Sequence, residues 1–218
     1  DMYFFPDQAA KAAQHACMRA QISAPVLDFP TAWAQDADEY ITKALEVHDI
    51  FRTSQLITIG FGPHAPYTVA DEALQRIATL APELQATVQI HLHETEFEVA
   101  QAFEKDGMRP MERLHKLNFL SPFVQCVHLT QVNEADIDIL VKTGAHVVHC
   151  PESNLKLASG FCPITQLLDA GINVALGTDG AASNNDLDLF SEMRTAALLA
   201  KGVSKNAAAL NAHQALQL

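Results

Sequence analysis

With 218 residues, 49% of them hydrophobic and 18% charged, the chain has the composition of one globular domain with a sizeable core. A formal net charge of −12 argues against nucleic-acid phosphates and anionic membrane surfaces as partners, since both want clustered Lys and Arg. No apolar run approaches the roughly 20 residues needed to cross a bilayer, and the amino end has no signal-peptide core. Cys17, Cys126, Cys150 and Cys162 form no C-x-x-C pair, so reduced thiols in a cytoplasmic protein are expected.

In chain order, Asp1 to Phe5 reads as the tail of a strand, followed by an alanine-rich helix over 7–20 and a strand over 19–29. Residues 33–53 read as a helix, with Asp36, Asp38 and Glu39 suited to a helix amino end. The apolar run 56–61 leads into Gly62-Pro63-His64-Ala65-Pro66-Tyr67, a rigid loop that a helix could not contain. A helix over 71–80 and a strand over 87–92 follow. Helices at 96–105 and 110–117 are broken at Gly107, and the strand 123–128 precedes a helix over 134–143 with Gly144 past its end. The strand 145–150 runs into a loop, Pro151-Glu152-Ser153-Asn154. A short helix over 164–170 precedes the last strand, 173–178, which delivers Asp179 to a turn. The chain finishes in helices over 187–201 and 206–218.

Alternation of helices with near-continuously apolar strands, seven counting the first remnant, predicts a parallel sheet of the α/β class. No glycine-rich nucleotide motif is present. Polar residues gather at the carboxyl ends of strand after strand: His64, His91 with Glu94, His128, His149 and Asp179. A doubly wound sheet uses one crevice, whereas a (β/α)8 TIM-type barrel keeps its site at this rim. The barrel is therefore the expected fold. Its first strand and a flanking small β domain are expected to lie outside this sequence, with residues 1–218 as a partial catalytic barrel.

Imidazoles and a carboxylate suit a divalent ion, and His91 and Asp179 are the best candidate ligands. Two ligands are too few, so at least one more must come from elsewhere. Glu94 would carry protons and His128 would polarise or hold hydroxide. Each of these residues alone has a plain structural reading, such as a core histidine or a helix-capping acid. His93 is expected to pack or bond behind the site. The Ser183-Asn184-Asn185 stretch has no base paired with its serine and is expected to be a turn that fixes Asp179.

Five stretches resemble the amidohydrolase superfamily, and within it the 5-methylthioadenosine/S-adenosylhomocysteine deaminases and related chlorohydrolases. They are Gly62 to Tyr67, His91-Leu92-His93-Glu94-Thr95, Val127-His128-Leu129, His149 to Leu157 and Gly177-Thr178-Asp179 through Asn185. The resemblance implies a (β/α)8 barrel with one divalent metal, Zn2+ first and Fe2+ or Mn2+ as alternatives. It assigns His91 and Asp179 as metal ligands and Glu94, His128 and Asp179 as catalytic residues. His64, Glu94, His149 and Asn154 become substrate contacts. The implied reaction is hydrolytic deamination of an adenosine-type nucleoside by metal-activated hydroxide. A triazine or other purine amidohydrolase, a chlorohydrolase and a non-catalytic binding barrel stand as alternatives. The implied partner is a small-molecule nucleoside, with no nucleic acid and no membrane, and a homo-oligomer is left open. The 28–40 loop has no arginine to hold a substrate carboxylate, which favours methylthioadenosine over S-adenosylhomocysteine.

Overall fold

Six strands alternate with ten helices in the computed structural model, which describes residues 1–218. The first half comprises α1 (Pro6–His15), β1 (Ala20–Val26), α2 (Ala37–Phe51), β2 (Ile57–Pro63), α3 (Asp71–Leu84), β3 (Val88–Leu92), α4 (Glu96–Asp106) and α5 (Pro110–Lys116). There follow β4 (Val124–His128), α6 (Glu134–Thr143), β5 (His146–His149), α7 (Pro151–Lys156), α8 (Ile164–Asp169), β6 (Val174–Leu176), α9 (Leu189–Ser204) and α10 (Ala212–Gln217). The strands form one sheet in the order β1-β2-β3-β4-β5-β6, and the pairs β1–β2, β2–β3 and β5–β6 are parallel. An order that never reverses separates this TIM-barrel-like α/β fold from a doubly wound sheet, whose order flips at a switch point. No helix is long and apolar enough to cross a membrane.

The chain divides into two compact units, Asp1–Ile90 with Leu114–Gln125, and His91–Arg113 with Cys126–Leu218. In the first, Ile22, Ala24, Val26, Ile59 and Phe61 of β1 and β2 are buried. α2 starts where Asp36 accepts the Glu39 N–H at 2.9 Å, and Tyr40, Ile41, Ala44, Val47 and Phe51 form its buried stripe. Gly60 is required by close approach, because a Cβ there would lie 2.3 Å from the Thr87 carbonyl oxygen.

In the second unit, α4 is capped by Thr95, which accepts from the Glu98 N–H at 3.1 Å, and stops at Gly107 in the left-handed region. α6 begins with a reciprocal capping box between Asn133 and Asp136. Ile164, Leu167, Val174, Ala196 and Ala200 bury the inner faces of α8, β6 and α9.

Three expectations change. Residues 1–5 form no strand, so the sheet has six rather than seven. Asp1 nevertheless brackets β1 as a parallel neighbour would: its ammonium donates to Gln21 O at 2.8 Å and its carbonyl accepts from Ser23 N–H at 2.7 Å. Pro151–Lys156 is a helix, not a loop, because proline lacks only an N–H that a first turn leaves unpaired anyway. The last strand ends at Leu176, short of Asp179, although Gly177 N–H still bonds His149 O at 3.0 Å.

Candidate active site

The site is built on backbone that leaves the strands sharply. His93 just beyond β3 (φ 52°), His128 at the end of β4 (φ 78°), Leu129 (φ 47°) and Asp179 (φ 61°) all adopt left-handed conformations. Such values are uncommon outside glycine and cost on the order of 1–3 kcal/mol each, so the surroundings must enforce them. They do so by lacing the ends of β3 and β4 together. His93 O accepts from Thr130 N–H at 3.0 Å and Gln131 N–H at 3.1 Å, Leu92 O accepts from Leu129 N–H at 3.2 Å, and Thr130 Oγ1 donates to Glu94 O at 2.6 Å.

His128, 1% exposed, is the hub. Its Nδ1 lies 2.9 Å from Asn154 Oδ1. An amide oxygen only accepts, so Nδ1 carries a proton in this arrangement, and Nε2 faces the site. Nε2 is 3.7 Å from Glu94 Oε2 and 3.9 Å from Asp179 Oδ2, and the His91 ring stacks on the His128 ring with centroids 5.4 Å apart. His91, Glu94 and Asp179 therefore surround one imidazole. The two carboxylate separations exceed hydrogen-bond reach and suit groups that meet through a third species.

Asp179 is the most tightly held group. Ser153 Oγ and Ser183 Oγ donate to its Oδ2 at 2.6 and 2.7 Å, and Gly180 N–H donates to Oδ1 at 2.7 Å. Burial pushes its pKa up, but these bonds and the charge of His128 outweigh it and hold the carboxyl below its usual range. Glu94 is anchored through its backbone, whose N–H bonds Glu98 Oε2 at 2.8 Å, while its own Oε1 accepts from Ser159 Oγ at 3.3 Å. Glu98 also takes the His93 N–H at 3.0 Å. Burial pushes the Glu98 carboxyl up to about 7.

His93 belongs to a different network. Its Nε2 accepts from Met111 N–H at 3.1 Å, and Nδ1 lies 3.6 Å from Asp136, which Arg109 clamps at 2.7 Å. Burial lowers its pKa to about 4, and its ring is committed to the start of α5. His149 is buried with neither ring nitrogen bonded, as is Asn154 Nδ2, and burial takes the His149 pKa to about 4. Buried polar atoms without partners are rare enough to mark a place where a ligand or water is received. His64 lies in the first unit, with Nδ1 3.1 Å from Thr68 Oγ1 and its ring edge-on to Tyr67.

The structure thus gathers His91, Glu94, His128, Asn154 and Asp179, all within the second unit. Ser153 and Ser159 were not singled out by the sequence. Ser153 had a signal in retrospect: it sits in the first turn of a helix that Pro151 opens, where a side chain can reach across to the next strand end. As for a metal, a neutral imidazole and a carboxylate are fitting donors for a borderline divalent ion. No group of three or more His, Cys, Asp or Glu side chains is disposed to hold one by itself. The donor chemistry of His91 and Asp179 suits part of a coordination sphere, which these residues do not complete.

Parallel strands joined by helices, with ionisable side chains at the strand carboxyl ends, define a TIM-barrel-like protein. The chain belongs to the amidohydrolase family, whose pattern it matches over residues 1–218. It is 58% identical over 218 residues to a 5-methylthioadenosine/S-adenosylhomocysteine deaminase of Saccharophagus degradans, covering 100% of this chain and 49% of that protein. It is 40% identical over 203 residues to a 5′-deoxyadenosine deaminase of Methanothermobacter thermautotrophicus, covering 92% of this chain and 47% of that one. A crystal structure of an adenosine deaminase from Xanthomonas campestris with bound zinc superposes with a TM-score of 0.96 at 50% identity, over 98% of this chain and 49% of its own. The chain spans about half the length of the curated relatives it matches.

Proposed function

We propose that the protein containing this chain hydrolytically deaminates the adenine of an adenosine-type nucleoside, releasing ammonia and the inosine analogue. The observation that carries this reading is the convergence of His91, Glu94 and Asp179 on His128. The deaminase named at 58% identity supports the reaction class, and the zinc-bound relative at 50% identity supports a divalent metal, Zn2+. His91 and Asp179 would be two of its donors, with the rest supplied from outside residues 1–218. Bound there, the ion would act as a Lewis acid that eases deprotonation of water at neutral pH.

The chain's own residues account for the proton movements. Asp179, aimed by Ser153 and Ser183, accepts a proton from the water that adds to C6 of the adenine. Glu94 delivers a proton to ring N1, so that charge does not accumulate there as the ring is attacked. The proton taken by Asp179 then passes to the departing amine, which leaves as ammonia as the C6–N bond breaks, while the C6 hydroxyl proton is lost to the Glu94 carboxylate and restores it. His128, with Nδ1 fixed on Asn154, presents Nε2 to the developing tetrahedral centre. His149 and Asn154 Nδ2 offer the buried polar lining that a purine edge would satisfy. The 5′-deoxyadenosine deaminase relative favours the same chemistry with a different 5′ group as the second reading.

Ammonia release from methylthioadenosine by the intact protein tests the proposal. Glu94→Gln should keep its metal and lose roughly 10²–10⁴-fold in kcat, the usual contribution of a general acid–base group. No ammonia from any adenosine-type nucleoside, or full turnover in that variant, would overturn it.

A further inference from the structure

Asp179 is held by hydroxyls that arrive from separate parts of the chain, Ser153 on α7 and Ser183 in the turn before α9, both on Oδ2. A carboxylate that the deamination chemistry does not use ties those two segments to each other. Glu192, in the first turn of α9, is 0% exposed. Its Oε1 accepts from Asn184 Nδ2 at 2.7 Å and its Oε2 accepts from Glu152 N–H at 3.1 Å. Asn184 in turn closes its own loop, since its Oδ1 accepts from Asp186 N–H at 3.0 Å and Leu187 N–H at 2.8 Å. Asn184 follows Ser183 and Glu152 precedes Ser153. Bonds and sequence neighbours therefore make a closed ring: Asp179, Ser183, Asn184, Glu192, Glu152, Ser153 and back to Asp179.

Burying a carboxyl group is unfavourable unless donors require it. Here the requirement is specific, because two donors from two segments converge on one point and need one acceptor each. An apolar side chain would fill the space and leave both donors unpaired. We propose that Glu192 is the positioning residue for Asp179: it fixes the spacing of Ser153 and Ser183 and thereby the direction in which Asp179 faces His128. This rests on the reading of Asp179 as metal ligand and base.

The test is Zn2+ affinity of the intact protein, stripped of metal and titrated in competition with a chromogenic chelator. Glu192→Gln is nearly isosteric but opposes an NH2 to one of the two donors, so one bond of the ring is lost. Affinity should fall roughly 10–100-fold, as when the partners of metal ligands are removed, while the metal-free protein still unfolds cooperatively with a midpoint lowered only by the one lost bond. Combining Glu192→Gln with Asn184→Asp reverses the bond, the new amide donating to the new carboxylate while its oxygen still accepts from Glu152 N–H. Most of the lost affinity should return. Glu152→Gln should leave affinity unchanged, because the ring uses that residue's backbone.

A folded Glu192→Gln protein with wild-type affinity overturns the proposal, and so does a double variant no better than the single one. If the single variant fails to fold, Asn184→Ala cuts the same ring from the turn and should weaken Zn2+ in the same way; wild-type affinity there also overturns it. Asp179→Ala separates the two levels. Wild-type affinity in that variant removes the ligand assignment itself, whereas its loss beside an unaffected Glu192→Gln removes only the positioning role.

Discussion

Glu98 makes the stability of this chain fall as pH rises from 5 to 8, and Glu98→Gln should abolish that part of the slope. The carboxylate is 8% exposed and receives two backbone amides, those of His93 and Glu94. Those bonds favour the ionised form, but burial is the larger influence, and the nearby Glu94 carboxylate pushes the same way. The midpoint moves from an ordinary 4.5 to about 7. Folding therefore raises proton affinity at this site. The stability it contributes is complete below about pH 4.5 and is lost as pH rises through about 7. At about 1.4 kcal/mol per factor of ten in proton affinity, the whole span is worth at most about 3.5 kcal/mol. The glutamine variant stays neutral at every pH. It still accepts from one of the two amides and forgoes the other, a constant cost of about 1 kcal/mol. Urea denaturation of both proteins at intervals between pH 5 and 8 should show the variant gaining on the wild type by up to about 2.5 kcal/mol across that window. Glu192, also pushed up to about 7 by burial, titrates in both proteins and cancels from the difference. A difference that stays constant with pH would refute burial as the dominant influence on Glu98.

Other substitutions test other levels of the structure. Asp179→Ala should lose both metal and turnover in the intact protein, and full metal occupancy by elemental analysis would contradict its place in the coordination sphere. Gly60→Ala forces a Cβ to within 2.3 Å of the Thr87 carbonyl, so β2 must shift. The urea midpoint should drop by the equivalent of about 1–3 kcal/mol or more, and an unchanged midpoint would show that the strands can spread freely. The 28–40 loop carries no arginine, and the ammonium of nearby Lys43 is already taken by Trp33 O and, at 2.7 Å, by Glu39. Accordingly kcat/KM should be higher for methylthioadenosine than for S-adenosylhomocysteine, and equal values would contradict that preference.

Much of the fold is legible in the sequence because buried parallel strands leave uninterrupted apolar runs, and β1 to β5 lie within or close to the stretches those runs mark. Helix ends are legible where a single glycine does the capping, as Gly107 does for α4 and Gly144 for α6; α2 instead starts at Ala37, four residues later than its sequence suggests, because Asp36 caps it. Short elements are not. α7 has six residues and no room for a periodic pattern, so Pro151 reads as a breaker although it opens a helix. The loss of residues 1–5 as a strand has a related cause: only Asp1 bonds β1, and Tyr3, Phe4 and Phe5 stay exposed, so an apolar-looking run this short forms neither ladder nor core. At the site, His91, Glu94, His128 and Asp179 stand out because ionisable groups are unusual at apolar strand ends. Ser153, Ser159 and Glu192 do not, because a serine or a helical glutamate is ordinary anywhere on a surface. Their roles arise only once distant segments are folded side by side.

The left-handed backbone at His93, His128 and Asp179 has a consequence for anyone redesigning this pocket. Such dihedrals admit Asn, Asp, His and Gly at little extra strain and resist β-branched or bulky side chains. The repertoire of usable replacements at these three places is therefore narrow before any chemistry is considered. Swapping Asp179 for Glu, the change that best preserves charge, asks a less tolerant residue to hold the same dihedrals. Asn keeps the backbone and surrenders the charge. Libraries that randomise these positions evenly will consist mostly of chains whose rim does not form. Diversity placed instead at the exposed residues 180–182, beside Asp179, leaves those three dihedrals to the residues that tolerate them.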